Sequence, residues 1–313
     1  MIERRTIRFD HELLRDVEHP AFEARGAGDG PHLALIGGVH GCEYSSIAAV
    51  VRVMSELDTD ELSGSITAVP IVSMQSYQRR SPFVVPEDGK NLNRSFRGSA
   101  DGTYTDALAH CIFEELIGPA DALIDLHGGD MVEALEPFTI YEASPVEEAA
   151  DNLAVAFGLP YVVREVPKPG ALGGMTSSAA AAAGIPAIIA EAGGCGQLES
   201  DAVQLLADGV RNALRQLGML PGAPDPPPAP LQRVGRFDWL TSRDAGWWAS
   251  AVRAGDEVVA GGLLGRVHDL WGDVIEEVHS PADGVVLFLT TSPAVKSDGL
   301  LLGRGAELEA VAP

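Results

Sequence analysis

The sequence is poor in cysteine, in basic residues, in aromatic residues and in long apolar runs, and most of these shortages remove a class of protein. Three cysteines, Cys42, Cys111 and Cys195, lie far apart in 313 residues and form no CxxC pair. They give no basis for a disulfide framework. Lysine and arginine total 22 against 45 aspartates and glutamates, a formal charge of -23. So acidic a chain repels a phosphate backbone or an anionic membrane except over a concentrated basic patch. The nearest candidates, RTIRF near the start and the QRR of residues 78–80, are too short to hold a duplex. No apolar stretch is long enough to span a bilayer, and the N-terminus is charged where a secretory signal would be apolar. Neither nucleic acid nor membrane is expected as a partner, and a reducing cytoplasm is the expected location.

What is present suits a globular chain able to bury a full core, with 46% hydrophobic residues. LALIG at 33–37 reads as a buried strand, and EYSSIAAVVRVMSEL follows with helical spacing. SGSITAVPIVS supplies a second strand-like run around Pro70. A long polar connection from Met74 to about Thr105 shows little regular pattern, and loops of that length are uncommon unless they bind something. A helix over Asp106–Ile117 leads to the strand ALIDLH, which ends on His127. PFTIYE and LPYVVREV are strand-like, with SPVEEAADNLAVAFG helical between them. KPGALGGMTSSAAAAAG is a glycine-rich loop entering an alanine-rich helix, with Thr176, Ser177 or Ser178 as cap candidates. AIIAE ends on Glu191 before two glycines, and residues 198–217 form an amphipathic helix.

This alternation predicts an α/β domain over residues 1–222 with a central mixed, mostly parallel sheet. PGAPDPPPAP is stiff, and residues 223–230 are read as a linker. Residues 231–313 change grammar to short runs between turn signals, a small all-β domain closed against itself. His11 and His19 are read as surface residues, His268 and His279 as structural, and Cys42 and Cys195 as small core residues.

Three predicted strand ends carry His40 with Glu43, His127 and Glu191, each beside glycines. In an α/β sheet such ends converge on one crevice. A His, Glu, His set is a catalytic zinc set that keeps a fourth position for water or substrate. Glu191 would then be the general base, taking a proton as that water attacks a carbonyl. In the long loop, Arg80 could hydrogen-bond the carbonyl oxygen, and Arg94, beside Asn93, could clamp a substrate carboxylate. Blander readings exist for each part. HxxE is a short motif, His127 could donate to a buried carbonyl with Asp125 or Asp130 as loop residues, and NLNR could be a helix cap. They leave the repeated strand-end pattern unexplained.

GGVHGCE, NLNR, DLHGG and AEAGG, in that order, resemble the succinylglutamate desuccinylase and aspartoacylase family, itself similar to zinc carboxypeptidases. The resemblance covers most of residues 33–313. It implies a zinc-carboxypeptidase-like domain followed by a smaller β domain, and one Zn2+ per chain held by His40, Glu43 and His127. It also implies Glu191 as general base, Asn93 and Arg94 as the pair that binds a substrate carboxylate, and Arg80, with Arg79 competing, as the carbonyl-polarising arginine. Where the family often has DLNRxFPG, this chain has Asn91 in place of the aspartate and Arg97 in place of the proline.

The expected activity is a zinc-dependent amidohydrolase that removes an acetyl or succinyl group from a small amino acid or diamino acid by metal-activated water. The partner is then a small N-acyl amino acid, and homo-oligomerisation is left open. Two alternatives stand beside it. A zinc metallocarboxypeptidase would need an extended groove for short peptides. A non-catalytic binding module would have no use for Glu191 beside a full ligand set.

Overall fold

The computed structural model describes residues 1–166, 174–227 and 229–311. Strands β1 (Ile2–Ile7), β2 (His19–Arg25), β3 (Gly28–Gly37), β4 (Ser63–Val69), β5 (Ala122–His127), β6 (Glu133–Leu135), β7 (Phe138–Glu142), β8 (Tyr161–Glu165) and β9 (Ala187–Glu191) come first. Helices α1 (Tyr44–Glu56), α2 (Met74–Arg79), α3 (Tyr104–Ile112), α4 (Glu147–Phe157), α5 (Thr176–Ala182) and α6 (Ser200–Gln216) are interleaved with them or follow. Eight strands then run without a helix: β10 (Gln232–Thr241), β11 (Gly246–Ser250), β12 (Glu257–Val258), β13 (Leu263–His268), β14 (Val274–His279), β15 (Gly284–Thr290), β16 (Ala294–Val295) and β17 (Leu300–Ala310). None of the described helices is long and apolar enough to cross a membrane.

The large sheet is mixed. β4, β3, β5 and β9 are parallel neighbours, β7 is antiparallel to β9, and β8 is parallel to β7. Helices cover both faces, so these strands read as unbroken apolar runs instead of alternating ones. Leu33 and Leu35 of β3 pack with α1 and α6 on one face, while Ala34 and Ile36 pack with α3 and α5 on the other. The same two-residue period puts Leu123, Asp125 and His127 of β5 on one side. That placement decides what lies behind the His127 ring.

Several local expectations change. β4 stops at Val69, before Pro70, whose missing N–H would break the ladder. The long connection contains the short helix α2 and a 3₁₀ turn over Leu92–Arg94, both too brief for a periodic signal. Thr176 is the first residue of α5 and Met175 its N-cap, so none of Thr176, Ser177 and Ser178 caps it. Most of the glycine-rich loop expected just before, residues 168–173, lies outside the described residues. His19 is buried at 1% exposure, its ring tilted against Phe9 at 5.0 Å with Nδ1 3.4 Å from the Ile71 carbonyl. It faces inward because alternate residues at the start of β2 do, and burial holds its pKa below the usual value. Cys42 is buried as expected, whereas Cys195 is half-exposed on a left-handed turn.

The C-terminal strands do not close solely on themselves. β11, β13, β14 and β16 form a separate four-stranded antiparallel sheet, while β10, β17, β15 and β12 extend the large sheet. β10 joins it by pairing in parallel with β8, Gln232 opposite Tyr161, and β15 also pairs with β6. Without β10, β8 would present a row of unpaired backbone groups at an open edge. Phe138, Ile140, Val163 and Ile189 share a core cluster with Val234, Val285 and Leu287, so apolar packing is continuous across the junction.

Candidate metal centre and adjoining cavity

The carboxyl ends of β3, β5 and β9 deliver the expected residues to one place. His40 lies in the turn after β3, and Glu43 is the residue from which α1 starts. Gly41 makes that turn: a Cβ there would sit 2.1 Å from the Tyr77 backbone nitrogen, a contact no side chain tolerates. His127 ends β5 and Glu191 ends β9, directly opposite each other in the parallel ladder. One ligand atom each from His40, Glu43 and His127 all lie within 4.8 Å of one another.

The orientation of the two rings says what would fit between them. His40 Nδ1 is 2.6 Å from Glu43 Oε1, and His127 Nδ1 is 2.9 Å from Glu43 Oε2. On their far sides, His40 Nε2 meets Asn91 Oδ1 at 3.0 Å and His127 Nε2 meets Asp125 Oδ2 at 3.0 Å. Asn91 Oδ1 also accepts from the Asn93 backbone N–H at 2.8 Å, which fixes the amide's orientation. With an oxygen acceptor behind each ring, the protons belong on Nε2. Two nitrogen lone pairs then face a carboxylate, an arrangement that repels itself unless a cation sits among them. Burial by itself opposes charge here, but the Asp125 and Glu43 carboxylates outweigh it and hold the His127 pKa well up. Burial also opposes ionisation of Glu43, and the two histidines outweigh it, bringing its pKa to about 2. A borderline-soft divalent ion matches this N, N, O donor set.

The groups behind the rings form one hydrogen-bonded chain. Asp125 Oδ2 accepts from the Thr176 hydroxyl at 2.5 Å, and the Thr176 backbone N–H donates to Asn93 Oδ1 at 3.1 Å. Asn93 in turn donates to Asn91, which holds His40. Asp125 is thus a fully buried strand residue, not a loop residue, and no buried carbonyl takes the His127 proton. The signal was in the sequence: residues two apart on a strand share a face. Thr176 and Asn91 carried no such signal, because their partners are distant in the chain.

A cavity of about 400 Å³ adjoins the centre, lined by His40, Glu43, His127, Asn93, Arg94 and Glu191 among others. Arg94 donates from Nη1 to the Asn93 carbonyl at 2.7 Å, and the carboxylates of Glu191, Glu165 and Glu133 act on it. Burial, then the Glu43, Glu133 and Asp125 carboxylates against the pull of His127, raises the Glu191 pKa well above the usual range. Arg80 is not part of the lining. It is exposed in a left-handed conformation at the end of α2, where its charge acts on Cys42 and Tyr44. Arg79 is exposed too and pairs with Glu87 at 3.1 Å. No tyrosine lines the cavity among the described residues. The wall opposite the sheet edge is aromatic: Phe237 and Trp239 of β10 and Phe288 of β15 make edge-on contacts, Trp239 to Phe288 at 5.0 Å. Glu133, on β6 in the same wall, had no motif to mark it.

A family model described as the succinylglutamate desuccinylase/aspartoacylase catalytic domain matches residues 29–217, more than half of the chain. The chain belongs to this family. In this succinylglutamate desuccinylase/aspartoacylase chain the matched stretch holds His40, Glu43, Asn93, Arg94, His127 and Glu191, while the aromatic wall lies beyond it. The N-alpha-acetyl-L-2,4-diaminobutyric acid deacetylase of Halomonas elongata is 29% identical over 270 residues, covering 83% of this chain and 77% of that protein. A succinylglutamatedesuccinylase/aspartoacylase crystal structure from Rhodobacter sphaeroides matches with a TM-score of 0.86 at 24% identity, over 100% of this chain and 96% of that one. The product-bound Ectoine utilization protein EutE (DoeB) from Ruegeria pomeroyi gives a TM-score of 0.85 at 25% identity, over 97% and 95%. The shared fold therefore takes in the C-terminal strands as well as the matched stretch.

Proposed function

We propose that the protein is a zinc-dependent deacylase that hydrolyses the amide of a small N-acyl amino acid. The observation that carries this reading is the meeting of the His40, Glu43 and His127 donor set with Glu191 and Arg94 in a single cavity of about 400 Å³. A zinc ion held by His40, Glu43 and His127 supplies Lewis acidity and lowers the pKa of water. Arg94 orients the substrate through its α-carboxylate, supported by its bond to the Asn93 carbonyl. Glu191, which ends β9 directly opposite His127, accepts a proton from the attacking water and passes it to the leaving amine. Arg80 as a carbonyl-polarising residue requires a rotation that brings its exposed side chain into the cavity. The cavity's volume and its wall of C-terminal strands suit a small substrate better than the groove a peptidase needs. The likeness to the Halomonas diaminobutyrate deacetylase favours an acetyl group.

The deciding experiment measures zinc in freshly purified protein together with amine release from N-acetyl, N-succinyl and N-formyl amino acids. About one zinc per chain with release from one acyl class supports the reading. Zinc-loaded protein that releases no amine from any of them sinks it. The chain behind the rings makes a separate prediction. Asp125→Asn removes the anionic acceptor of His127 Nε2–H and is expected to weaken zinc binding about 10- to 100-fold, read by competition with a chelator.

A further inference from the structure

The deacylase reading leaves one charged group of the cavity without a task. Glu133 and Leu135 are two apart on β6, so both face the cavity, and the ladder sets them opposite Thr290 and Phe288 of β15, which line it too. Glu133 is therefore fixed on the wall by backbone pairing. The charges acting on it most strongly are the Glu43 and Asp130 carboxylates and the His40 ring. Arg94 is the one lysine or arginine lining the cavity among the described residues, and Glu191 and Glu165 act on it more strongly than Glu133 does, so a single cation is shared among three carboxylates. A carboxylate half-buried beside aromatic rings is costly unless something positive compensates it. Burial first, then Glu43, already pushes the Glu133 pKa up to about 7. Phe237, Trp239 and Phe288 line the same cavity, and aromatic ring faces attract cations as well.

We propose that Glu133 is a specificity-determining residue that pairs with an ammonium group on the substrate's side chain, so that the site selects N-acyl diamino acids over neutral or acidic ones. This rests on the deacylase reading for the word substrate, but not for the binding preference itself. Arg94 takes the α-carboxylate and Glu191 handles the proton; Glu133 reads the side chain.

The test compares L-2,4-diaminobutyrate with L-norvaline, which replaces the ammonium by a methyl group, as ligands of the zinc-loaded protein in calorimetry. The wild type is expected to bind the diamino acid at least about tenfold more tightly, as a desolvated charge-assisted hydrogen bond allows. Glu133→Gln should erase the difference, and Glu133→Asp, which keeps the charge, should retain part of it. With the N-acetyl forms of both amino acids, the loss in Glu133→Gln should appear in KM more than in kcat and be at least about tenfold larger for the cationic substrate. Equal binding of the two amino acids by the wild type, or a preference that survives Glu133→Gln, overturns the proposal. Were Glu133→Gln to unfold, Glu133→Asp decides instead: a preference reduced from wild type supports the proposal, and one left at its full wild-type size overturns it. A binding preference lost in Glu133→Gln without any deacylation sinks the deacylase reading and leaves this one standing. Deacylation with no cationic preference does the reverse.

Discussion

Glu191→Gln is expected to lower kcat by about 10²- to 10⁴-fold while zinc content and substrate KM stay close to wild type. Glutamine keeps the shape of the side chain and its place opposite His127 in the β5/β9 ladder, but it cannot accept a proton from water. The carboxylate is not one of the three converging ligand groups, so the ion should remain. Single-turnover assays with parallel metal analysis check this. A variant that loses zinc along with activity would move Glu191 into the ligand set. One that keeps most of its turnover would require a different base, and Glu133 is the other cavity carboxylate with a strongly raised pKa.

The second large effect concerns stability. Arg304 of β17 is fully buried, and its guanidinium donates to Asp238, to the Ala282 carbonyl and to Ser280 Oγ at 3.3 Å. Arg304→Met should destabilise the protein by about 1–3 kcal/mol, because it removes the hydrogen bonds of a buried guanidinium while Asp238 keeps Arg236 and Ser280 keeps the Ala282 carbonyl. The melting temperature should fall by about 2–5 °C. Burial raises the Asp238 pKa, but its bonds to Arg304 and Arg236 outweigh that and depress it in the folded state. A depressed carboxylate stabilises the fold above its unfolded pKa, about 4, and that contribution disappears as pH falls through the folded value. Part of the acid-side loss of stability should therefore vanish in Arg304→Met. Denaturant titrations of both proteins from pH 7 to pH 3 test this, and parallel curves would show that the pair carries little coupling.

The parts of this protein visible in its sequence are those specified locally. LALIG, ALIDLH and AIIAE announce buried parallel strands because short apolar runs ended by glycine have few other uses, and a residue at such a strand's end belongs to the crevice. His40, Glu43, His127 and Glu191 were legible on that ground. Arg94 was legible as a candidate through its loop, since a long polar connection is uncommon unless it binds something. Pairing between distant segments was not legible. His19 is polar and precedes a proline, yet β1 and β2 turn it inward. Nothing near Glu133 marks it, because its place in the wall comes from β15, far along the chain. Arg80 fits the chemistry by type, and only the left-handed end of α2 shows where it points.

The seam between β8 and β10 has an evolutionary corollary. The proposed metal ligands and base come from one run of chain, and the aromatic part of the cavity wall comes from another, joined to it by backbone pairing that is indifferent to side chains. On the proposed reading, substitutions among the cavity-lining rings of that added surface would retune which molecules are accepted while the proposed metal ligands stay untouched.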